Sequence, residues 1–342
     1  MKTLHLKAMD ETAVNEIEKA AEILKNGGLV AVPTETVYGL AASAFDETAV
    51  QNIFKAKGRP NDNPLIVHIA EFSELNSIVK EIPPVCKKCM DAFWPGPFTA
   101  VLPKKDIIPV SVSGGLNTVA VRMPANSVTR EIIKKAGLPL AAPSANRSGS
   151  PSPSTADHVI DDLEGRIDAV VISGKCEVGV ESTVVTFATN PPRLLRPGGI
   201  TVEMLKQFIP DLVIDPAVTA EPEKDAEVAS PGMKYKHYAP KAEVFMAQGS
   251  IKAFCKYCEE HKNDFDFALC YDEDEVDLKI PHTSLGANED HQKQAELLFG
   301  FLRDIDDKGY KKVIVHAPLK EGVGLAVYNR LIRAAGFKVI DL

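Results

Sequence analysis

The feature that most constrains this chain is the strict alternation that runs from Ala242 to its last residue. "AEVFMA", "DFALCY", "KKVIVHA" and "FKVIDL" are short runs rich in β-branched and aromatic residues. Between them lie "SIKAFCKYCEEHK", "HQKQAELLFGFLRDIDDKG" and "VGLAVYNRLIRAAG", where apolar residues recur at helical spacing. A strand followed by a crossover helix and another strand places the two strands parallel and the helix over the sheet. Residues 242–342 are therefore expected to form a small Rossmann-like parallel α/β domain. It has no GxGxxG and no Gly-rich turn after its first strand, so a dinucleotide site there is unsupported.

Residues 1–212 have a different grain. "DETAVNEIEKAAEILKNGG" is a helix with an acidic start, an apolar stripe at Val14, Ile17, Ala20, Ala21 and Leu24, and a stop at Gly27-Gly28. "LVAVPT" follows as a buried strand broken at Pro33, then the helix "ETAVQNIFKAKG" and the strand "PLIVHI". Further short β-rich runs ("FTAVLP", "TVAVRMP", "LPLAAPSA", "AVVISG", "ESTVVTF") are interleaved with some helices. This pattern predicts one α/β domain built on a twisted mixed sheet, with a strand order that cannot be read. From residue 213 to 241 the chain is Pro- and charge-rich without a hydrophobic period, which reads as an interdomain linker. Its last third differs from an inert spacer, because Met233, Tyr235, His237 and Tyr238 alternate with Lys234 and Lys236.

Charge narrows the partners. The net charge of −8 argues against a protein that wraps nucleic acid. Residues 1–212 hold 22 Lys and Arg against 24 Asp and Glu, whereas residues 213–342 hold 17 against 23, so any basic groove belongs to the first part. No run approaches the roughly 18 apolar residues of a membrane span, and the N-terminus lacks an apolar signal core, so a cytoplasmic protein is expected. Two close cysteine pairs, Cys86/Cys89 and Cys255/Cys258, have the residue types of a four-thiolate zinc site. They lie 166 positions apart and inside helix-like sequence, which favours ordinary reduced thiols.

The chemistry-bearing residues cluster in the first domain. Lys57 and Arg59 straddle the turn after the second helix, where an ammonium and a guanidinium fork suit phosphate oxygens. Cations at a helix end also complement its dipole, so the pair alone decides little. Arg122 sits in the otherwise apolar run "TVAVRMP" and needs an anionic partner, either a protein carboxylate or a ligand's. Arg196 precedes a Pro-Gly-Gly turn, and His68 closes an apolar strand. With Thr34, Ser144, Asn146 and Ser182 as neutral donors, the set suits a ligand carrying several phosphates and a carboxylate. No nucleophile is paired with a base, and no GxxxxGK[ST], HExxH or GxSxG occurs.

The blocks "VPTETVYGL", "KAKGRP", "NPLIVHI", "WPGPFTAVL", "TVAVRMP", "AAPSANRSGSPSPS", "GVESTVV" and "LLRPGGIT", in this order, resemble the YrdC/Sua5 family. The "SPGMKYKHYAPK" stretch and the α/β tail resemble its long Sua5 form, so the likeness covers essentially the whole chain. The resemblance implies a nucleotidyltransferase that joins L-threonine, bicarbonate or CO2, and ATP into L-threonylcarbamoyl-AMP with release of pyrophosphate. A separate transferase complex then modifies adenosine 37 of tRNAs that read codons beginning with A. Direct tRNA contact is not required, and ATP would enter as its Mg2+ complex, with no metal ligand from protein side chains.

Carried onto matching positions, the family pattern implies ATP contacts at Lys57, Arg59, Asn61, Thr118, Ser144, Asn146, Ser152, Arg196 and Tyr238, with Lys57 and Arg59 as the catalytic cations. It implies a threonine site of Thr34, His68, Arg122, Ala142 and Ser182. The chain has Asn126 and Thr186 where the family often has His and Asp, so neither position is given a role. The resemblance also divides the chain into a synthase domain (1–212), a linker folding over the active site (213–241) and the C-terminal domain (242–342). A non-catalytic RNA-binding or RNA-maturation module is the competing reading, and whole-chain acidity counts against it.

Overall fold

The computed structural model describes residues 2–60, 63–221 and 238–342. Eleven strands form the first sheet, in the spatial order Leu4–Lys7, Ala169–Ile172, Val30–Val32, Gly39–Ser43, Leu140–Ala141, Ile66–His68, Thr118–Arg122, Phe98–Pro103, Thr183–Thr186, Arg193–Arg196 and Val213–Ile214. The pairings are mixed, as the sequence predicts: Ile66–His68 runs parallel to Thr118–Arg122 and antiparallel to Leu140–Ala141. The order was unreadable for a concrete reason. Neighbours in space are remote in sequence, as where Leu4 pairs with Ala169.

Side chains alternate across this sheet, and strands Val30–Val32 and Gly39–Ser43 feed two separate cores. Val30, Val32 and Ala41 meet Ile17, Ala20 and Leu24 of the helix Val14–Lys25 together with Ile132 and Ile133 of the helix Ser127–Ala136. Ala31, Leu40 and Ala42 meet Val50 and Ile53 of the helix Glu47–Lys57 together with Cys86, Cys89 and Met90 of the helix Pro84–Phe93. Each fully buried Ile or Leu here contributes roughly 1.5–3 kcal/mol of transfer free energy. The helix Glu47–Lys57 starts where the Asp46 carboxylate accepts the Thr48 and Ala49 N–H groups and stops at Gly58, whose φ of 64° is left-handed. That reversal places Lys57 and Arg59 on either side of one turn.

The second sheet has five strands, all parallel, in the order His282–Ser284, Phe267–Cys270, Lys312–His316, Glu243–Gln248 and Val339–Asp341. Four of them match the alternation in the sequence. The fifth, His282–Ser284, is a polar edge strand with no hydrophobic period to announce it. The cysteine pairs sit in different cores, Cys86 and Cys89 under the first sheet and Cys255 and Cys258 beside Phe254 under the second, so they do not form one site. The helix Gly324–Ala334 is buried along its whole length, since it packs between its own sheet and the first domain. Among the described residues no helix is long and apolar enough to cross a membrane.

Candidate active site

Strand Val30–Val32 ends at Pro33, and the next turn folds on its own hydroxyls. Thr34 Oγ1 accepts the N–H groups of Thr36 and Val37 at 3.1 and 3.2 Å and donates to the Val37 carbonyl at 2.7 Å. Thr36 Oγ1 in turn accepts from Arg122 Nη1 at 2.8 Å. The hydroxyl-rich turn is thus locked against the strand that carries Arg122, and between them lies Glu35. Its carboxylate is buried and pairs with Arg122 Nη2 at 2.7 Å. The partner that Arg122 requires is therefore supplied by the protein itself.

His68 and Arg122 lie directly opposite each other at the ends of adjacent parallel strands. Burial pushes the His68 imidazolium down to about 3, and the neighbouring Arg122 charge adds to that. The ring is neutral at physiological pH. Its Nδ1 lies 3.2 Å from the Ile66 carbonyl, which places the proton there and leaves Nε2 as an acceptor.

Across the sheet, Ser182 Oγ hydrogen-bonds Thr99 Oγ1 at 2.8 Å and accepts from Arg196 Nη2 at 3.2 Å, while Arg196 Nε donates to the Ser182 carbonyl at 3.1 Å. These groups surround a cavity of about 60 Å3 that is partly open to solvent. Of the residues expected in the site, Thr34, Arg59, His68, Arg122, Ala142, Ser144, Ser182, Arg196 and Tyr238 all line it. Tyr238 is buried and holds a left-handed φ of 64°, and burial pushes its hydroxyl up. Its neighbour Ala239 donates its N–H to the Gly149 carbonyl at 3.1 Å, which ties this part of the chain to the loop after Ser144.

The remaining expected residues are placed elsewhere. Lys57 does not line the cavity. Its buried ammonium donates to the carbonyls of Ser144 and Asn146, and the Lys57 carbonyl accepts the Ser148 N–H at 2.9 Å. Burial, with Arg59 next to it, holds that ammonium well below the usual lysine range. Asn146 spends its amide on the carbonyls of Arg147 and Ser150, at 2.7 and 2.8 Å, and takes a hydrogen bond from Ser144 Oγ at 2.6 Å. Lys57 and Asn146 are thus the frame of the loop that presents Ser144.

Ser152 also lies behind the wall, donating to Glu181 Oε1 at 2.5 Å. Thr118 begins the strand that ends at Arg122, about 13 Å away along it, and is not part of the wall. Asn61 and most of the segment expected to fold over the site, including "KYKH", lie outside the described residues.

Two carboxylates in the site escaped the sequence reading. Glu35 pairs with Arg122 without lining the cavity, and Glu181 lines it. Burial by itself would push its carboxyl up, but Arg330 and Arg196 outweigh that and hold it below the usual carboxylate range. Arg330 comes from the C-terminal domain and donates through Nε to Glu181 Oε2 at 2.8 Å. The available signal was chemical: an acid embedded in apolar sequence, as in "GVESTVV", calls for a buried cation. Among the described residues no group of His, Cys, Asp or Glu is placed to hold a metal ion.

Known proteins resemble both halves of this architecture. A family model described as "Telomere recombination" matches residues 22–198, and one described as "Threonylcarbamoyl-AMP synthase, C-terminal domain" matches residues 200–336. The chain is 43% identical to the threonylcarbamoyl-AMP synthase of Pyrococcus abyssi over 336 residues, covering 96% of each. It is 42% identical to the Bacillus subtilis protein of the same name, covering 97% of this chain and 96% of that one. The crystal structure of P. abyssi Sua5 complexed with L-threonine superposes with a TM-score of 0.90 at 40% identity, covering all of both chains. On these grounds the chain belongs to the YrdC/Sua5 family, in its long form with the C-terminal domain.

Proposed function

We propose that this chain is an enzyme, a nucleotidyltransferase that makes L-threonylcarbamoyl-AMP from L-threonine, bicarbonate or CO2, and ATP for the modification of adenosine 37 in tRNA. One observation carries the reading beyond the likeness to relatives of that name. A single cavity is lined both by Arg122, His68, Thr34, Ala142 and Ser182 and by Arg59, Arg196, Ser144 and Tyr238. The first group offers a cation, a neutral acceptor and small neutral contacts, which suits an amino acid. The second offers two guanidinium groups, a hydroxyl and an aromatic ring, which suits a nucleotide polyphosphate.

In this reading the threonine amine and bicarbonate condense to the N-carboxylate with loss of water. A carboxylate oxygen then attacks the α-phosphorus of ATP, and the bond to pyrophosphate breaks. Arg59 and Arg196 neutralise charge on the phosphates, and Arg122 takes the threonine carboxylate as a second anion beside Glu35. Neutral His68 accepts a hydrogen bond without adding charge. Lys57 and Asn146 act by holding the Ser144 loop, not by touching phosphate. Mg2+ enters with ATP. Glu181, the carboxylate facing the cavity, is engaged by Arg330 and Ser152, and a Mg2+ ion carried by ATP would offset phosphate charge there.

We take residues 1–212 as the synthase domain, 213–241 as the linker over the site and 242–342 as the C-terminal domain. The RNA-binding alternative needs exposed cations, and Arg122, Arg196 and Lys57 are all buried. Purified protein supplied with ATP, bicarbonate and threonine should release pyrophosphate, and omission of either threonine or bicarbonate should abolish it. Release that ignores both would sink the proposal.

A further inference from the structure

A fully buried charge of the C-terminal domain serves the wall of the cavity. Arg330, on the helix Gly324–Ala334, has no exposed surface and does not line the cavity. It donates to the Glu181 carboxylate through Nε at 2.8 Å, to the Glu181 carbonyl through Nη2 at 3.3 Å and to the Pro197 carbonyl through Nη1 at 2.8 Å. Its neighbour Asn329 accepts from Nη1 at 3.0 Å, and its guanidinium lies 5.8 Å from the centre of the Tyr238 ring. One side chain therefore grips both wall segments, the one holding Glu181 and Ser182 and the one following Arg196, and lies beside a tyrosine that lines the cavity.

Burying an Arg completely is costly unless every N–H finds a partner and the charge finds a counter-charge. Glu181 meets that need, but Glu181 also faces the cavity within the field of Arg196. A carboxylate there is a liability for a site that takes ATP. Left without a cation behind it, Glu181 would draw on Arg196 and repel the phosphates.

We infer that Arg330 is a positioning residue of the C-terminal domain that neutralises Glu181 from behind the wall, so that Arg196 acts on the nucleotide. This gives the C-terminal domain a part in ATP binding without a ligand site of its own. The inference rests on the function proposed above only in the identity of the nucleotide, and its test does not need turnover.

Calorimetric binding of ATP with Mg2+ is compared in the full-length wild type, Arg330→Met, Glu181→Gln and the double variant, each checked for cooperative thermal unfolding. Arg330→Met should weaken ATP binding roughly 10-fold or more. Adding Glu181→Gln should restore most of that loss, because the unneutralised carboxylate is gone. The loss in Arg330→Met should also shrink relative to wild type as pH falls from 8 to 5.5, since Glu181 without its cation protonates more readily. A structural anchor alone would give losses that add, with no recovery in the double variant and no pH dependence of the ratio, and would overturn the inference. If wild type binds ATP and shows this coupling yet makes no pyrophosphate with threonine and bicarbonate, the proposed reaction fails and the role of Arg330 stands.

Discussion

Two histidines end parallel strands in this molecule, one in each sheet, and they have opposite surroundings. His316 closes Lys312–His316, with Nδ1 2.8 Å from the Asp274 carboxylate and Nε2 3.1 Å from the Gly249 carbonyl. Phe254 stacks on its ring at 4.4 Å. Both nitrogens are used, and this strand end is filled by the protein's own groups. His68 closes Ile66–His68 with only Nδ1 engaged by a backbone carbonyl, beside Arg122 and an open cavity. The carboxyl ends of strands in α/β sheets are where ligands bind, but the position is only an opportunity. A site remains where polar groups converge without satisfying one another completely. The first domain keeps such a place, and the second has turned the same position into packed core.

Substitutions can break or sharpen this contrast. The largest effect is expected from Arg122→Ala, which removes the proposed carboxylate partner and leaves Glu35 buried without its cation. It should raise the threonine KM roughly 100-fold and cost about 3 kcal/mol of stability, read by steady-state kinetics and urea unfolding. Unchanged threonine dependence would show that the amino acid binds elsewhere. Arg59→Ala should raise the ATP KM about 10-fold and leave threonine KM alone, and a rise in both would merge the two ends of the cavity into one.

His68 makes a smaller, pH-dependent difference. Its folded pKa, near 3, lies below the ordinary value of about 6.5. The unfolded chain therefore takes up the proton first. Its contribution is fully present above that ordinary value and is lost as pH falls from there toward 3, with a slope of up to about 1.4 kcal/mol per pH unit. Urea unfolding of His68→Gln should show a flatter acid limb than wild type, and parallel limbs would mean the ring is not held neutral. The smallest effect on catalysis belongs to His316→Ala, which should lower the unfolding temperature yet leave both KM values within about twofold. A large kinetic change there would erase the distinction between the two strand ends.

Much of the fold was legible in particular residues. Ile17, Ala20 and Leu24 recur at helical spacing because one face of their helix is buried, and the alternation after Ala242 survives as a parallel sheet for the same reason. The edge strand His282–Ser284 was not legible, since half-buried polar residues carry no period. Within the site, residue types indicated which groups are able to bind anions, and the family likeness named Arg59, Arg122 and Arg196, which share a cavity, together with Lys57, which does not line it. Neither distinguished Lys57 from Arg59. The two stand on the same turn with the same charge, yet one faces the cavity and the other is consumed by carbonyls of Ser144 and Asn146 almost ninety positions away.

The sequence alone determined the two α/β units, the residue types that bind anions and the polar, Pro-rich stretch between the units, because hydrophobic period and turn chemistry are local properties. Only the tertiary structure decided which cations face the cavity and which hold its wall. Burial and counter-charge settle that choice, and both depend on residues distant in the chain: Glu35 against Arg122, and Glu181 against an Arg330 that the other domain supplies.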